Sequence, residues 1–458
     1  MSAVFTPQPG APALRPLLSN ALSGRPLLVG GAGACDTRRF VAQARSAAAV
    51  LPESGWVVNL CEDRHHFLVG LCAAMLRGQT TLLPPSRAPA VIAEVLARHP
   101  GSYCLVDAEH CPAPPRAHRL RIDPDAVGDG LVPEIPDSQC VVLGFTSGST
   151  GQPRGHAKTW GAFAGSNAGN RALVEALLAE AGHAGGRPSI VATVPSQHMY
   201  GMETTVLLPL LGDCHVHAGR PFFPVDVQAA LASVPAPRIL VTTPVHLRAL
   251  VASGLVFPPV AGLVSATAPL PEDLARAAEA VFQAPLQELF GSTETCVIAH
   301  RRTAREAAWT LQPGVELTPQ PDGSLVRAPW LPEPVLLQDL VERLDGGRFV
   351  LRGRQADQLE IAGKRASLAD LTRRVLAIDG VHDAVVFQTG EAGAAGVGRV
   401  AALVVAPGLD EAAVLEALRA CIDPVFLPRP LRLVARLPRN ETGKLPRAAL
   451  LRALDADD

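Results

Sequence analysis

The run from Phe145 to Gly155 holds four small hydroxyl side chains, Thr146, Ser147, Ser149 and Thr150, and three glycines, Gly148, Gly151 and Gly155. It follows the apolar stretch Val141-Val142-Leu143, which reads as a buried strand. A loop of this composition can turn tightly and present main-chain N–H groups and hydroxyls to one anion, and a polyphosphate fits that donor set. Arg154 adds a cation beside it. No stretch fits G-x-x-x-x-G-K-[ST], so the sequence offers no support for a P-loop ATPase or GTPase. Taken alone, the run could also be a Ser/Gly-rich surface loop, the less favoured reading.

Three further segments carry chemistry. Phe290-Gly291-Ser292-Thr293-Glu294 follows the apolar Leu286–Leu289 region. Its ring can stack on a base, its hydroxyls can meet a phosphate, and a lone carboxylate suits Mg²⁺, which takes few protein oxygens and fills its shell with phosphate and water. A polar turn at a strand end is the plain alternative. Asp339 stands among Leu336, Leu337, Leu340 and Val341. A carboxylate in such surroundings must find donors, and ribose hydroxyls or Arg343 would serve. Lys444 follows Gly443 in Pro438-Arg439-Asn440-Glu441-Thr442-Gly443-Lys444, a turn from which its ammonium could meet charge developing at a phosphate. Lys158, Lys364 and Lys444 are the only lysines in the chain. That scarcity adds slightly to the case for a role of each, with an ordinary surface lysine as the plain alternative.

The elements that must position these residues alternate. Strands are expected at Pro26–Gly30, Gly55–Leu60, Thr80–Pro84, Ser189–Val194 and Arg238–Thr243, and helices at Thr159–Ala181, Val225–Ala232 and Glu272–Phe282. This alternation is the mark of an α/β fold with a largely parallel sheet. The texture changes near residue 350. Ser367-Leu368-Ala369-Asp370 has the spacing of a helix start, leading to a helix as far as about Ile378. Strands at Ala384–Phe387, Arg399–Val405 and Leu431–Leu437 flank a helix at Asp410–Cys421. The expected organisation is a large N-terminal domain of layered α/β subdomains, residues 1–353, and a small mobile α+β domain, residues 354–458.

Composition narrows the classes. Lys plus Arg number 41 against 43 Asp plus Glu, so no global basic field argues for nucleic acid. No stretch of apolar residues is long enough for a membrane span. Nine scattered cysteines without a Cys-x-x-Cys fit reduced thiols, and Met1–Pro16 has no basic segment followed by an apolar core, so a cytoplasmic location is expected.

The order of these segments along the chain resembles the adenylate-forming superfamily: acyl-CoA synthetases, peptide-synthetase adenylation domains and luciferases. The resemblance runs from about residue 55 to the C-terminus. It implies that a carboxylate attacks the α-phosphate of ATP to give acyl-AMP and pyrophosphate, and that a thiol then displaces AMP. It implies ATP and Mg²⁺ as cofactors. It would place Thr146, Ser147, Gly148, Ser149, Thr150, Gly151 and Arg154 on the phosphates, Thr293 on the α-phosphate and Glu294 on the metal. Phe290 and Gly291 would face Ser265, Ala266 and Thr267 across the adenine. Asp339 and Arg354 would take the ribose, and Lys444 would bridge carboxylate and α-phosphate. His198, in Val194-Pro195-Ser196-Gln197-His198-Met199-Tyr200-Gly201, would flank the acid, with Tyr200, Thr243 and His246 along its pocket. A narrower resemblance, to the acyl and aryl acid ligases of aryl-polyene and xanthomonadin-type pigment clusters, rests on Asn59–Arg64, Pro153–Trp160, Pro195–Glu203 and Gly363–Ser367. It implies an aryl acid such as a hydroxybenzoate, or a fatty acid, passed to an acyl carrier protein or CoA.

Departures from the family pattern are local. The loop ends Pro153-Arg154-Gly155 where the family has Pro-Lys-Gly, and Arg can still fork onto phosphate while Lys158 assists. At the hinge, Ala356 stands where a charged residue is usual, which leaves Ala356 or Asp357 as the pivot. Seven basic residues between Arg429 and Arg452 face one acid, Glu441, and would suit an acidic carrier protein or the phosphates of CoA. Other readings are a non-catalytic nucleotide-binding relative, or adenylation without thioester formation. A dinucleotide-binding oxidoreductase finds little support, because Val29-Gly30-Gly31-Ala32-Gly33-Ala34 lacks the G-x-G-x-x-G spacing.

Overall fold

The computed structural model describes residues 13–19, 24–30, 34–85, 87–107, 114–128, 130–147, 153–354, 358–361, 364–389, 400–419, 421–422, 424–440 and 443–455. They group into two compact units. The first comprises Met1–Ala307, Gln312–Val315 and Ala328–Glu333, and the second comprises Ala308–Leu311, Glu316–Arg327 and Pro334–Asp458.

The first unit contains two large sheets with helices packed on them, as the βα alternation requires, and a short antiparallel pair, Leu14–Pro16 with Glu134–Pro136. In one, the strands run Pro153–Thr159, Cys140–Ser147, Thr80–Leu83, Trp56–Asn59, Tyr103–Val106 and Ala117–Arg119. All neighbours are parallel except the hairpin that joins Cys140–Ser147 to Pro153–Thr159. In the other, Leu286–Ser292, Gly262–Ser265, Arg238–Thr242, Ser189–Ala192, His215–His217 and Pro26–Val29 form a parallel centre. Antiparallel strands Cys296–Arg301 and Cys35–Asp36 flank that parallel centre. The central strands are buried along their whole length, the pattern of a parallel sheet covered on both faces. Helix Trp160–Glu180 leaves the hairpin directly. Thr159 caps it by accepting from the Ala162 N–H, and Trp160 and Phe163 anchor it in the core.

The second unit is built from small antiparallel pieces. Asp339–Arg343 pairs with Arg348–Arg354, which also pairs with Trp309–Leu311. Glu316–Gln320, Gly323–Arg327 and Val335–Leu337 form a second sheet. Farther on, Asp383–Gln388 is antiparallel to Val400–Val405, which runs parallel to Leu431–Leu433. Helices Leu368–Leu376 and Glu411–Arg419 bury Leu371, Val375, Val414 and Leu418 against Val386, Ala402 and Val404. The strand expected over Leu431–Leu437 ends at Leu433. Leu437 is nevertheless buried, in an apolar cluster with Phe387, Leu403 and Leu450, so its side chain serves the core without a ladder. Among the described residues no helix is long and apolar enough to cross a membrane.

Candidate active site

Open parallel sheets place ligands beyond the C-terminal ends of their strands. In the first unit, Thr146, Thr242, Ser265 and Ser292 all lie at such ends. Two strand ends meet closely. A Cβ added at Gly144 would come within 2.9 Å of Thr293 Cγ2, so the absence of a side chain lets the Cys140–Ser147 strand lie against the Thr293 turn. Gly291 does the same from the other side, because a Cβ there would meet the Cys296 carbonyl oxygen at 2.2 Å. The bulge between Phe290 and Gly291 then turns Thr293 and Glu294 out of the sheet.

Three polar groups gather at this point. Thr146 Oγ1 lies 3.0 Å from His156 Nε2, and the same nitrogen lies 3.4 Å from Glu294 Oε1. Burial alone would raise the Glu294 carboxyl. Its own main-chain N–H, the Ser292 hydroxyl and the charges of His156 and Lys158 outweigh that and hold it below its ordinary value. Glu294 is therefore a carboxylate at neutral pH. Hard oxygen donors and one ionised carboxylate fit Mg²⁺ held largely by phosphates, and among the described residues no group of three or more His, Cys, Asp or Glu gathers that could hold a metal alone.

The adenine wall proposed from the sequence is strained and underbonded. Thr267 has φ +83°, a region β-branched residues rarely enter. Its Oγ1 is buried without a partner, and so is that of Ser265. Ala266 between them is buried, and Phe290 is half-buried. Orphaned hydroxyls at strand ends are the donors a ligand would complete.

On the acid side, half-buried His198 stands at the N-terminal boundary of the short helix Met199–Gly201, and its side chain makes no capping bond. Thr243 starts the Pro244–Ala252 helix and accepts from the His246 N–H. His246 Nδ1 sits 3.1 Å from Thr243 Oγ1 and 3.3 Å from Thr193 Oγ1. Burial, with the charge of Arg220, lowers its pKa, so it is neutral at pH 7. The Phe222 ring meets it edge-on at 5.2 Å. The Tyr200 hydroxyl donates to the main-chain oxygens of Thr242 (3.1 Å) and Val264 (2.9 Å), tying adjacent strand ends together. Tyr200→Phe should therefore lower stability by about 1–3 kcal/mol, because two buried carbonyls share that donor. Denaturant unfolding would show a lower midpoint at unchanged slope. A raised KM for the acid with stability untouched would instead assign the hydroxyl to the substrate.

The second unit holds the remaining candidates. Asp339 opens the Asp339–Arg343 strand directly opposite Arg354. It is half-buried, and Leu336 nearby is exposed, so Asp339 is not the acid enclosed by apolar side chains that its neighbours suggested. Strand alternation sends part of that apolar run to solvent. Lys444 is exposed and follows Gly443, whose φ is +78°. Ser147 pairs with Pro153 at the neck of the hairpin. Gly148, Ser149, Thr150, Gly151, Ala356 and Asp357 lie outside the described residues, and Arg154 is exposed opposite Thr146.

Two residues stood inside segments quoted from the sequence without a role of their own. Glu203 is buried on the π-helix Met202–Leu207 and accepts from the Val297 N–H and from Asn170. Arg64, buried, donates to the carbonyls of Val194, His217 and Gly219 and to Ser196 Oγ, fixing the segment that leads to His198. A charge inside an apolar run was the signal for Glu203. Arg64 gave none.

Hydroxyls and a single carboxylate at parallel strand ends define an α/β nucleotide-binding enzyme. The sequence profile of the family described as AMP-binding enzyme matches residues 86–320. A 4-coumarate–CoA ligase of Rhodobacter capsulatus is 30% identical over 306 residues, covering 65% of this chain and 73% of that enzyme. One from Halorhodospira halophila is 29% identical over 326 residues, covering 66% and 73%. The chain belongs to the AMP-binding enzymes, a family of the adenylate-forming superfamily. In fold it is similar to ATP-bound MatB of Rhodopseudomonas palustris, with TM-score 0.77, 18% identity and coverage of 95% and 99% of the two chains. It is also similar to the o-succinylbenzoate CoA synthetase of Bacillus subtilis bound to its acyl-adenylate, with TM-score 0.76, 16% identity and coverage of 97% and 99%.

Proposed function

We propose that this chain is an acid–thiol ligase that activates an aryl acid with ATP and passes the acyl group to CoA. The observation that carries it is the meeting of Thr146, His156, Thr293 and Glu294 at the strand ends, in a chain whose relatives are named 4-coumarate–CoA ligases. A carboxylate oxygen attacks the α-phosphorus, and the bond to the β-phosphate oxygen breaks as pyrophosphate leaves. The thiol sulfur then attacks the acyl carbon, loses its proton and expels AMP. Negative charge gathers at phosphorus in the first step, so fixed donors there help the transition state more than they help bound ATP.

In this reading Thr146–Gly151 and Arg154 bind the outer phosphates and Thr293 meets the α-phosphate. Glu294 would hold Mg²⁺, whose chemistry is to neutralise phosphate charge. Phe290 and Gly291, with Ser265, Ala266 and Thr267, enclose the adenine, and Asp339 and Arg354 take the ribose. Lys444 bridges carboxylate and α-phosphate during adenylation. His198, Tyr200, Thr243 and His246 border the acid. The 4-coumarate–CoA ligase relatives support an aromatic occupant, of the hydroxybenzoate or hydroxycinnamate kind, over a fatty acid. Residues 354–458 form the mobile lid, turning about Ala356 or Asp357. An acyl carrier protein is the alternative acceptor.

Pyrophosphate release with ATP, Mg²⁺ and a panel of hydroxybenzoates, cinnamates and fatty acids tests the reading. Release is expected with an aryl acid, and thioester formation with CoA should follow. ATP binding without release for any acid would favour a non-catalytic relative. Release without thioester on either acceptor would favour adenylation alone.

A further inference from the structure

Arg154, His156 and Lys158 share one face of the Pro153–Thr159 strand, since alternate residues point the same way. Their burial deepens from tip to base: Arg154 is exposed, His156 is half-buried and Lys158 is 4% exposed. Lys158 Nζ does not point to solvent. It donates to the main-chain carbonyl of Glu294 at 2.5 Å. Behind the same turn, both carboxylate oxygens of Glu203, itself 1% exposed, lie 3.1 Å from the Val297 N–H. Asn170 Nδ2 donates to Glu203 at 3.2 Å, Gln312 donates to Asn170, and Asn167 holds the Glu203 main-chain oxygen. Between the two anchors Cys296 has φ +62°, a conformation that non-glycine residues keep only when their surroundings enforce it. A buried ammonium is costly unless bonded, so its place beneath Glu294 reflects a constraint.

We infer that Lys158 and Glu203 form a buried clamp that fixes the 293–297 turn from both ends, and that Lys158 is thereby a positioning residue for the Glu294 carboxylate. The inference rests on the reading of Glu294 as the Mg²⁺ ligand. Lys158 acts through the Glu294 main chain, and the carboxylate remains available to the nucleotide–metal complex.

The test compares wild type, Lys158→Met, Glu294→Gln and the double variant by amide hydrogen exchange and by calorimetric ATP binding across an Mg²⁺ series. Lys158→Met should speed exchange at amides 295–297 about tenfold or more, the equivalent of one lost charge-assisted hydrogen bond. It should raise the Mg²⁺ needed for half-maximal ATP binding about tenfold, and should add less than about twofold in the Glu294→Gln background, because both changes act on one group. Unchanged exchange, or a Mg²⁺ shift that adds in full to that of Glu294→Gln, overturns the clamp. If Lys158→Met does not fold, Lys158→Arg decides. Its planar fork cannot reproduce one ammonium contact, so a folded protein with faster exchange and a shifted Mg²⁺ series supports the clamp, and wild-type behaviour in both overturns it. A wild type that binds no ATP at any Mg²⁺ level removes the nucleotide reading, and exchange at 295–297 then decides the clamp alone.

Discussion

Lys444→Ala should lower acyl-AMP formation about 10²–10³-fold while leaving thioester formation from preformed acyl-AMP within a few-fold of wild type. The turn that carries Lys444 is built by other groups. Asn440 Oδ1 accepts from the Lys444 N–H at 2.8 Å, and the Asn440 N–H donates to the Lys444 carbonyl at 2.8 Å. Arg439 donates to the Gly443 carbonyl and is paired with Asp383. These contacts are made by the Lys444 main chain, Asn440 and Arg439, so alanine should keep them while it removes the ammonium. In the proposed reading the ammonium helps while negative charge grows at the α-phosphorus, and that transition state is past once acyl-AMP has formed and the thiol attacks the acyl carbon. Measuring the half-reactions separately, by pyrophosphate exchange and by CoA-dependent release of AMP from synthetic acyl-AMP, checks the assignment. Equal loss in both would show that Lys444 supports the fold of the turn or a step common to both.

The chemistry was more legible in the sequence than the scaffolding behind it. Thr146, Thr293 and Glu294 sit in short runs whose composition says what they can bind, and the strands that carry them have apolar cores of ordinary length. What holds them together is not local. Glu203 meets Val297 across 94 positions of chain, and Lys158 meets Glu294 across 136. No spacing rule reaches that far. Lys158 stood out in the sequence as a scarce residue type and as an aid to Arg154, and neither signal pointed to its bond with the Glu294 carbonyl. Asp339 shows the converse. Its apolar neighbours suggested enclosure, but of that run only Leu337 is buried, Leu336 is exposed, and Leu340 and Val341 are half-buried. Leu437 was taken into a strand because it is apolar, although burial by packing and pairing in a ladder are separate properties.

Gly201→Ala should cost roughly 3 kcal/mol of stability, at the upper end of overpacking, and should raise the KM for the acid more than tenfold with the KM for ATP little changed. The cause is space, because Gly201 is in the ordinary helical region at φ −66°, ψ −37°. A Cβ there would stand 1.9 Å from the Pro195 carbonyl oxygen and 2.8 Å from its carbon, so the main chain on one side must move. Neither side moves cheaply. Arg64 grips Val194 and Ser196 on either side of Pro195, and Ser196 Oγ also meets Thr205 on the π-helix. On the other side, the π-helix that starts at Met202 carries Glu203, whose bond to Val297 would be dragged along. A π turn inserted into a helix is a strained device that proteins keep mainly at functional sites. Here its closeness to Pro195 sets where His198 stands. Gly55→Ala is the matched control, since nothing lies within 4 Å of a Cβ there, and it should change stability by less than about 0.5 kcal/mol. Thermal unfolding of both variants with a full kinetic profile for acid and ATP separates the outcomes. A Gly201→Ala protein with wild-type stability and acid affinity would mean that the Pro195 segment yields freely, and His198 could then owe its position to neither neighbour.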